Sequence, residues 1–172
     1  MMSIEQVSAP QVESLIESDL ISLLCNVVED GASIGFLTPL SSADARSYWQ
    51  EVLAPLRTGE KVMFVAKLDG RVVGAVQLAL EPRANGRHRA EVQKLMVHTS
   101  ARGQGLGRRL MDAVEQAARN DRRTLIVLDT RRGDVADGLY QRMGYVQAGV
   151  IPRYAISSSG ELDDTVFYYR EL

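Results

Sequence analysis

Three glycines alternate at the junction between a predicted strand and a predicted helix. The segment reads Arg102-Gly103-Gln104-Gly105-Leu106-Gly107, and residues 106–119 carry an apolar stripe at helical spacing. The first turn of a helix has backbone N–H groups without an intrahelical acceptor, and the helix dipole favours negative charge beside them. Glycines let these amides surround an anion, and Arg102, Arg108 and Arg109 can add positive charge. The segment therefore predicts a site for a phosphate or a pyrophosphate.

Two common phosphate-binding loops do not fit this segment. A P-loop needs Lys and then Ser or Thr after its last glycine, whereas Gly107 is followed by two arginines. A dinucleotide-binding loop needs G-x-G-x-x-G, and its third glycine would fall on Arg108 or Leu110. The pattern [QR]-x-x-G-x-[GA] between a strand and a helix fits throughout. The segment is therefore a third kind of anion-binding loop, or a tight turn with solvated arginines.

The elements around this loop predict an α/β chain. Helical spacing of apolar residues predicts helices over residues 12–28 and about 42–57, and Asp69-Gly70 between two β-branched runs predicts a hairpin. The other predicted elements are a strand over residues 89–97, a helix to about residue 119, a buried strand TLIVLDT, a short helix over residues 134–143, and two last strands, YVQAGVIP and LDDTVFYYREL. The strand–helix–strand unit predicts one parallel pair and the hairpins predict antiparallel ones. The result is a mixed sheet with helices on its faces.

Composition limits the class of protein. The 172 residues, 45% hydrophobic and 24% charged, suit a single domain over residues 1–172. A net charge of −2 argues against nucleic-acid binding driven by bulk charge. No basic, apolar leader and no apolar run of about 20 residues is present. One cysteine, Cys25, and two histidines give no disulfide and no metal-ligand spacing. We therefore expect a cytoplasmic protein with no metal, membrane or nucleic-acid partner.

The loop and its neighbours resemble one enzyme superfamily. The loop, the strands and helix beside it and LYQRMGY, which is similar to the pattern LYxxxGF, occur in the order and spacing of the GNAT superfamily of N-acetyltransferases. This resemblance spans about residues 62–169. The segments NVVEDGASIGF, PLSSADARSYW and ANGRHRAEVQKLMVHTSARGQGLGRRLMDAVEQ further resemble the tabtoxin resistance protein and its relatives, which acetylate a small amino-acid-like toxin. The resemblance implies the GNAT fold: a central mixed, mostly antiparallel sheet with a splayed parallel strand pair and helices on both faces.

The same resemblance implies acetyl-CoA as the acetyl donor. The residues that would bind its pyrophosphate are Arg102, Gly103, Gln104, Gly105, Leu106, Gly107 and Arg108. Backbone groups of Leu95, Met96 and Val97 would pair with the pantetheine arm as if it were an extra strand, and one of these amides would polarise the thioester carbonyl. Many members have an asparagine seven residues before the motif tyrosine. That position is Gly133 here, so the contact is absent or is supplied by another group.

Three side chains are candidates for the acid and the base of acetyl transfer. An alkylamine has a pKa of about 10, so it must lose a proton, and the departing thiolate benefits from one. Tyr140, at the edge of the apolar stripe of its helix, could reach the cofactor sulfur and is the candidate acid. Glu91 and Asp129 are candidate bases, because an unpaired carboxylate is costly to bury within a strand. The alternatives are a packing role for Tyr140, and backbone capping or arginine pairing for the two carboxylates.

The sequence thus predicts an N-acetyltransferase that acts on the primary amine of a small amino-acid-like molecule, such as a toxin or an antibiotic. Cys25 is remote in sequence from the cofactor elements, so we expect direct attack in a ternary complex rather than an acetyl-cysteine. Two alternatives remain open, namely a protein or peptide N-acetyltransferase and a non-catalytic acyl-CoA-binding module. We expect a monomer or a homodimer, with the acceptor between the N-terminal helices, GASIGFLTPL and IPRYAISSSGELDD.

Overall fold

A computed structural model describes residues 1–172, and its framework is one seven-stranded sheet. The strands are β1 (Met2–Val7), β2 (Lys61–Leu68), β3 (Arg71–Leu80), β4 (Arg89–Val97), β5 (Leu125–Arg131), β6 (Val146–Ile156) and β7 (Leu162–Glu171). Their order across the sheet is β1-β2-β3-β4-β5-β7-β6. Only β4 and β5 run parallel, and every other neighbouring pair is antiparallel. The predicted mixed, mostly antiparallel sheet is confirmed.

Helices cover both faces of this sheet. They are α1 (Ala9–Leu15), a π-helical segment (Ile16–Leu20), α2 (Ile21–Glu29), α3 (Ser42–Thr58), α4 (Leu106–Asn120) and α5 (Val135–Arg142). The helices before β2 pack on one face against Met63 and Val65. Those after β4 pack on the other face against Leu78 and Ile126. The sheet therefore lies between two apolar layers. No helix in the chain is both long and apolar enough to cross a bilayer.

The N-terminus differs from the prediction. Residues Met2–Val7 form an edge strand that pairs with β2, and the first helix begins at Ala9 rather than at residue 12. The missed helix signal is Ser8, whose backbone N–H donates to the Gln11 side chain at 2.8 Å, followed by a proline in the first turn. Only three of the six residues of the missed strand are apolar, and its neighbour β2 lies more than fifty residues further along the chain.

The parallel strand pair opens after three paired positions. Arg89, Ala90 and Glu91 face residues 125–127, and no pairing of β4 with β5 continues beyond them. Further along, the register of β4 against β3 shifts opposite residues 75–77, and Lys94 has a φ of 53°. Such a bulge bends a strand and increases its twist. The predicted splay is confirmed, and the bulge that accompanies it was not predictable from the sequence.

Candidate active site

The glycine loop between β4 and α4 has a run of backbone amides without protein acceptors. The N–H groups of Gly103, Gln104 and Gly105 donate no hydrogen bond within the chain, and the first bond of the helix runs from Arg109 N–H to Gly105 O at 3.1 Å. Gly103 and Gly105 have φ values of 76° and 75°, which other residues rarely adopt. Because a fifteen-residue helix starts here, its dipole adds to the attraction for an anion. The loop therefore fits a pyrophosphate.

The two arginines predicted to bind the cofactor also contact carboxylates. Arg102 Nε donates to the Val97 carbonyl at 3.2 Å, and its Nη1 pairs with Asp30 at the end of α2. Arg108 Nε lies 4.0 Å from Asp112 in the next turn of α4. Both ion pairs are exposed, and exposed pairs contribute little free energy. Either guanidinium can therefore exchange its carboxylate for a phosphate, so the predicted roles of Arg102 and Arg108 stay predictions.

The free edge of β4 lies next to this loop. Beyond Glu91, the edge that faces β5 has no strand partner. The Leu95 and Val97 side chains pack into the core on the α4 face, and Met96 packs into the opposite core. What these three residues present to the opening is therefore backbone, which an extended ligand can use as a strand would.

Tyr140 lies in a cluster of three tyrosines and is the one whose hydroxyl has no partner. Its ring centroid is 5.8 Å from that of Tyr145 and 6.1 Å from that of Tyr168. The Tyr168 hydroxyl donates to Asp137, and the Tyr145 hydroxyl donates to Glu115 at 3.1 Å. No fully buried side-chain oxygen lacks a partner, so the unpartnered Tyr140 hydroxyl must reach solvent. A free hydroxyl on a fixed ring is what a proton donor requires.

The surroundings of Tyr140 keep it protonated. Burial, followed by the charges of Asp129 and Asp134, raises the pKa of Tyr140. The residue is 4% exposed, so it belongs to the buried face of α5 and not to the edge of the stripe as predicted. A Cβ on Gly107 would lie 3.4 Å from Leu139 Cδ2, so the residue that precedes Tyr140 approaches the start of α4.

The two candidate bases lie on the same face of the sheet, close to the point where β4 and β5 separate. Glu91 and Asp129 lie on the sheet face opposite Ile126 and Leu128, which pack into the α4-side core. Neither carboxylate forms an ion pair, so the arginine-pairing alternative is wrong. Burial, followed by the charge of Glu91, raises the pKa of Asp129, and the charge of Lys94 opposes this shift. A carboxylate with a raised pKa is a better base near neutral pH.

A cleft of about 210 Å³ lies close to Asp129 along β5. Its lining consists of residues 31–33 and 35–37 before α3, residues 155–158 near the end of the β6–β7 hairpin, and Arg131. Arg131 lies two residues beyond Asp129, on the same face of β5. The Thr38 N–H donates to Ser158 Oγ at 3.1 Å, which joins the two walls. Both walls come from segments predicted to surround the acceptor.

Two lysines on this face had no predicted role. Lys61 Nζ donates to Gln77 at 2.9 Å and to Gln93 at 3.0 Å. Lys94 Nζ lies 5.9 Å from the ring centroids of both Phe36 and Tyr48. The available sequence signal was the polar residues within strands, at Gln77, Gln93 and Lys94, although this pattern does not reveal which side chains meet.

Neither Cys25 nor Gly133 offers a side chain for acetyl transfer. Cys25 packs against the core of the α1–α3 face, and burial raises the pKa of its thiol, which disfavours the nucleophilic thiolate. Gly133 has a φ of 78°, and its N–H donates to Asp137 Oδ2 at 2.7 Å. The asparagine contact common in the superfamily therefore has no side chain at this position.

Comparison with known sequences defines the class of protein. Residues 20–145 match the Acetyltransferase (GNAT) family. An uncharacterised N-acetyltransferase in the hisH–hisA intergenic region of Azospirillum brasilense is 33% identical over 131 residues, which are 73% of this chain and 76% of that protein. The chain therefore belongs to the GNAT family of acetyltransferases. It is an acetyl-CoA-dependent N-acetyltransferase, and the glycine loop has the free amides that this donor requires.

Solved structures share the fold over the whole chain. An acetyltransferase from Acinetobacter baylyi has a TM-score of 0.81 and 18% identity, covering 100% of this chain and 93% of its own. Ribosomal-protein-alanine N-acetyltransferase from Brucella melitensis has a TM-score of 0.78 and 23% identity, covering 99% of each chain. An acetyltransferase from Salmonella typhimurium, solved with its cofactor acetyl-CoA, has a TM-score of 0.77 and 18% identity, covering 100% and 94%. These structures confirm the GNAT fold.

Proposed function

We propose that the protein moves the acetyl group of acetyl-CoA to the primary amine of a small amino-acid-like molecule, by direct attack in a ternary complex. The observation that carries this proposal is the short cleft, whose lining residue Arg131 lies two residues beyond the unpaired Asp129 on the same face of β5. Its volume of about 210 Å³ is below the roughly 300–1,000 Å³ of sites for drug-sized ligands. The Thr38–Ser158 hydrogen bond closes one side of it, which favours a small acceptor over an extended chain. The resemblance to the tabtoxin resistance protein supports an amino-acid-like toxin or antibiotic as acceptor.

In this proposal, the amides from Gly103 to Arg108 bind the pyrophosphate and the free edge of β4 at Leu95 to Val97 orients the pantetheine arm. Acetyl-CoA, when bound, supplies the activated acyl group. Asp129 or Glu91 binds the acceptor ammonium and removes its proton, directly or through water. The Tyr140 hydroxyl holds the proton that the departing sulfur needs. We also propose that residues 1–172 act as one acyltransferase domain, as a monomer or a homodimer.

An assay of CoA release over a library of amines, amino acids and peptides tests the acceptor class. We expect turnover of small amines or amino acids and little turnover of peptides. Turnover of peptides or proteins alone would show a protein N-acetyltransferase instead. CoA binding without turnover of any amine would indicate a non-catalytic acyl-CoA-binding module. An acetyl group trapped on Cys25 would contradict direct attack.

A further inference from the structure

The side chain of Lys94 lies beside the acceptor cleft. Its bulged position in β4, with a φ of 53°, lies close to the point where β4 separates from β5. Its Nζ is 5.9 Å from the ring centroids of Phe36 and Tyr48, and a Cβ on Gly35 would lie 3.5 Å from it. Because Gly35 and Phe36 line the cleft, the ammonium lies next to two residues of the cleft wall.

The Lys94 ammonium has no counter-ion within the chain. No carboxylate lies within 4.0 Å of it, and it donates no hydrogen bond. Burial lowers the pKa of Lys94, whereas the more distant charges of Asp129 and Glu91 oppose this shift. A partly buried, unpaired cation is unfavourable unless an anion binds it.

Two other cations on this side of the sheet, Lys61 and Arg131, already have protein partners. Lys61 Nζ has the side-chain oxygens of Gln77 and Gln93 as acceptors. The Arg131 guanidinium pairs with Asp134 at 3.2 Å and with Asp163 at 3.5 Å. Lys94 is therefore the cation that remains for a ligand.

We propose that Lys94 binds an acidic group of the acceptor and thereby selects free amino acids over neutral amines and peptides. This inference rests on the proposed function and specifies its substrate class. Asp129 and Glu91 attract the ammonium of such an acceptor, and Lys94 attracts its carboxylate, so one face of the opening matches both charges. A peptide has an amide where a free amino acid has its carboxylate. Lys94 thus distinguishes the two classes of acceptor that a GNAT fold accommodates.

Kinetics with matched acceptors test this inference. Each amino acid in a panel is compared with its own carboxamide, so that only the acidic group differs. The wild-type protein is expected to have the higher kcat/KM for the free acid. Lys94→Met is expected to lower kcat/KM for the acids by about 10–100-fold, mainly through KM, because hydrogen bonds to charged groups contribute about 1.5–3 kcal/mol. Carboxamide values should change by less than about threefold, and Lys94→Arg should retain most of the preference.

Lys61→Met is the matched control, because its ammonium already has two protein acceptors. It should leave the ratio of acid to carboxamide unchanged. An unchanged ratio in Lys94→Met, or a wild-type preference for carboxamides or peptides, would overturn the inference. So would mass-spectrometric detection of acetyl-Lys94, which would make the lysine an acceptor. If no amine is turned over, the proposed function fails, and calorimetric binding of the same amino acids to the CoA-bound wild type and Lys94→Met still decides the role of Lys94.

Discussion

The Tyr140 hydroxyl has no protein acceptor, whereas the hydroxyls of Tyr145 and Tyr168 each have one. Several other groups around the opening between β4 and β5 also lack a protein partner. Glu91 and Asp129 have no ion-pair partner, and the amides of Gly103 to Gly105 have no acceptor. The loop amides are solvent-exposed and the two carboxylates lack ion-pair partners, so all of these groups are available to ligands that bind around the opening.

Replacing Tyr140 with phenylalanine removes the proposed proton donor and little else. We expect Tyr140→Phe to lower kcat by about 10–1000-fold while CoA affinity stays similar. Steady-state kinetics and a CoA titration check this. An unchanged kcat, with chemistry shown to be rate-limiting, would remove Tyr140 from the role.

Tyr145→Phe is the control for this experiment. Tyr145 lies in the same cluster, but its hydroxyl donates to the buried Glu115. We expect this variant to lose about 1 kcal/mol of stability while kcat changes little. A large loss of kcat in Tyr145→Phe would show that the cluster acts through packing rather than through one hydroxyl.

The raised pKa of Asp129 predicts opposite effects on stability and activity. Because the folded protein binds the Asp129 proton more tightly than the unfolded chain does, the stabilisation from the protonated form is present below the usual pKa of 3.8 and is lost as pH rises through the folded value. At neutral pH the carboxylate is therefore destabilising. We expect Asp129→Asn to raise Tm at pH 7, with a difference that disappears towards pH 3.8.

The variant Asp129→Asn also tests which carboxylate is the catalytic base. If Asp129 is the base, Asp129→Asn lowers kcat/KM, and the wild-type kcat/KM falls as pH decreases through the raised pKa of Asp129. If Glu91→Gln instead removes activity and Asp129→Asn does not, Glu91 is the base. A lower Tm for Asp129→Asn at pH 7 would contradict the inferred destabilisation.

At the scale of elements, the site depends on β4, the glycine loop, α4 and α5, whose positions were predicted from the sequence. The strand Arg89–Val97 had its predicted bounds, and the predicted helices after it were correct to within about two residues. Hydrophobic period and glycine positions carry this information locally. The edge strand β1 and the bulge at Lys94 were missed, because pairing with distant strands decides them and no local pattern encodes it. The π-helical segment was also missed.

A substitution at Gly105 separates the strain of the loop from its function. Gly105 and Gly59 have φ values of 75° and 76°, and neither has an atom within 4 Å of an added Cβ. Valine at either position should cost at least about 1–2 kcal/mol through the left-handed backbone. Only Gly105→Val is expected to lose the rise in Tm that CoA produces, because its side chain blocks the amides. Equal CoA-dependent shifts in both variants would mean that the loop does not bind the pyrophosphate.

At the scale of the whole molecule, two apolar layers hold one sheet whose only parallel pair opens in the middle. The donor elements lie in the second half of the chain, and the walls of the acceptor cleft come from residues 31–37 and 155–158. The resemblance predicted this division and the fold. The meeting of Lys94, Phe36 and Asp129 was not predictable, because three separate segments contribute these residues and only the folded sheet brings them together.

Calorimetric titration of the protein with CoA tests the central claim most directly. If the free amides of the glycine loop and the free edge of β4 bind the donor, the wild-type protein binds CoA with a micromolar Kd. No heat of binding even at millimolar CoA would contradict the account.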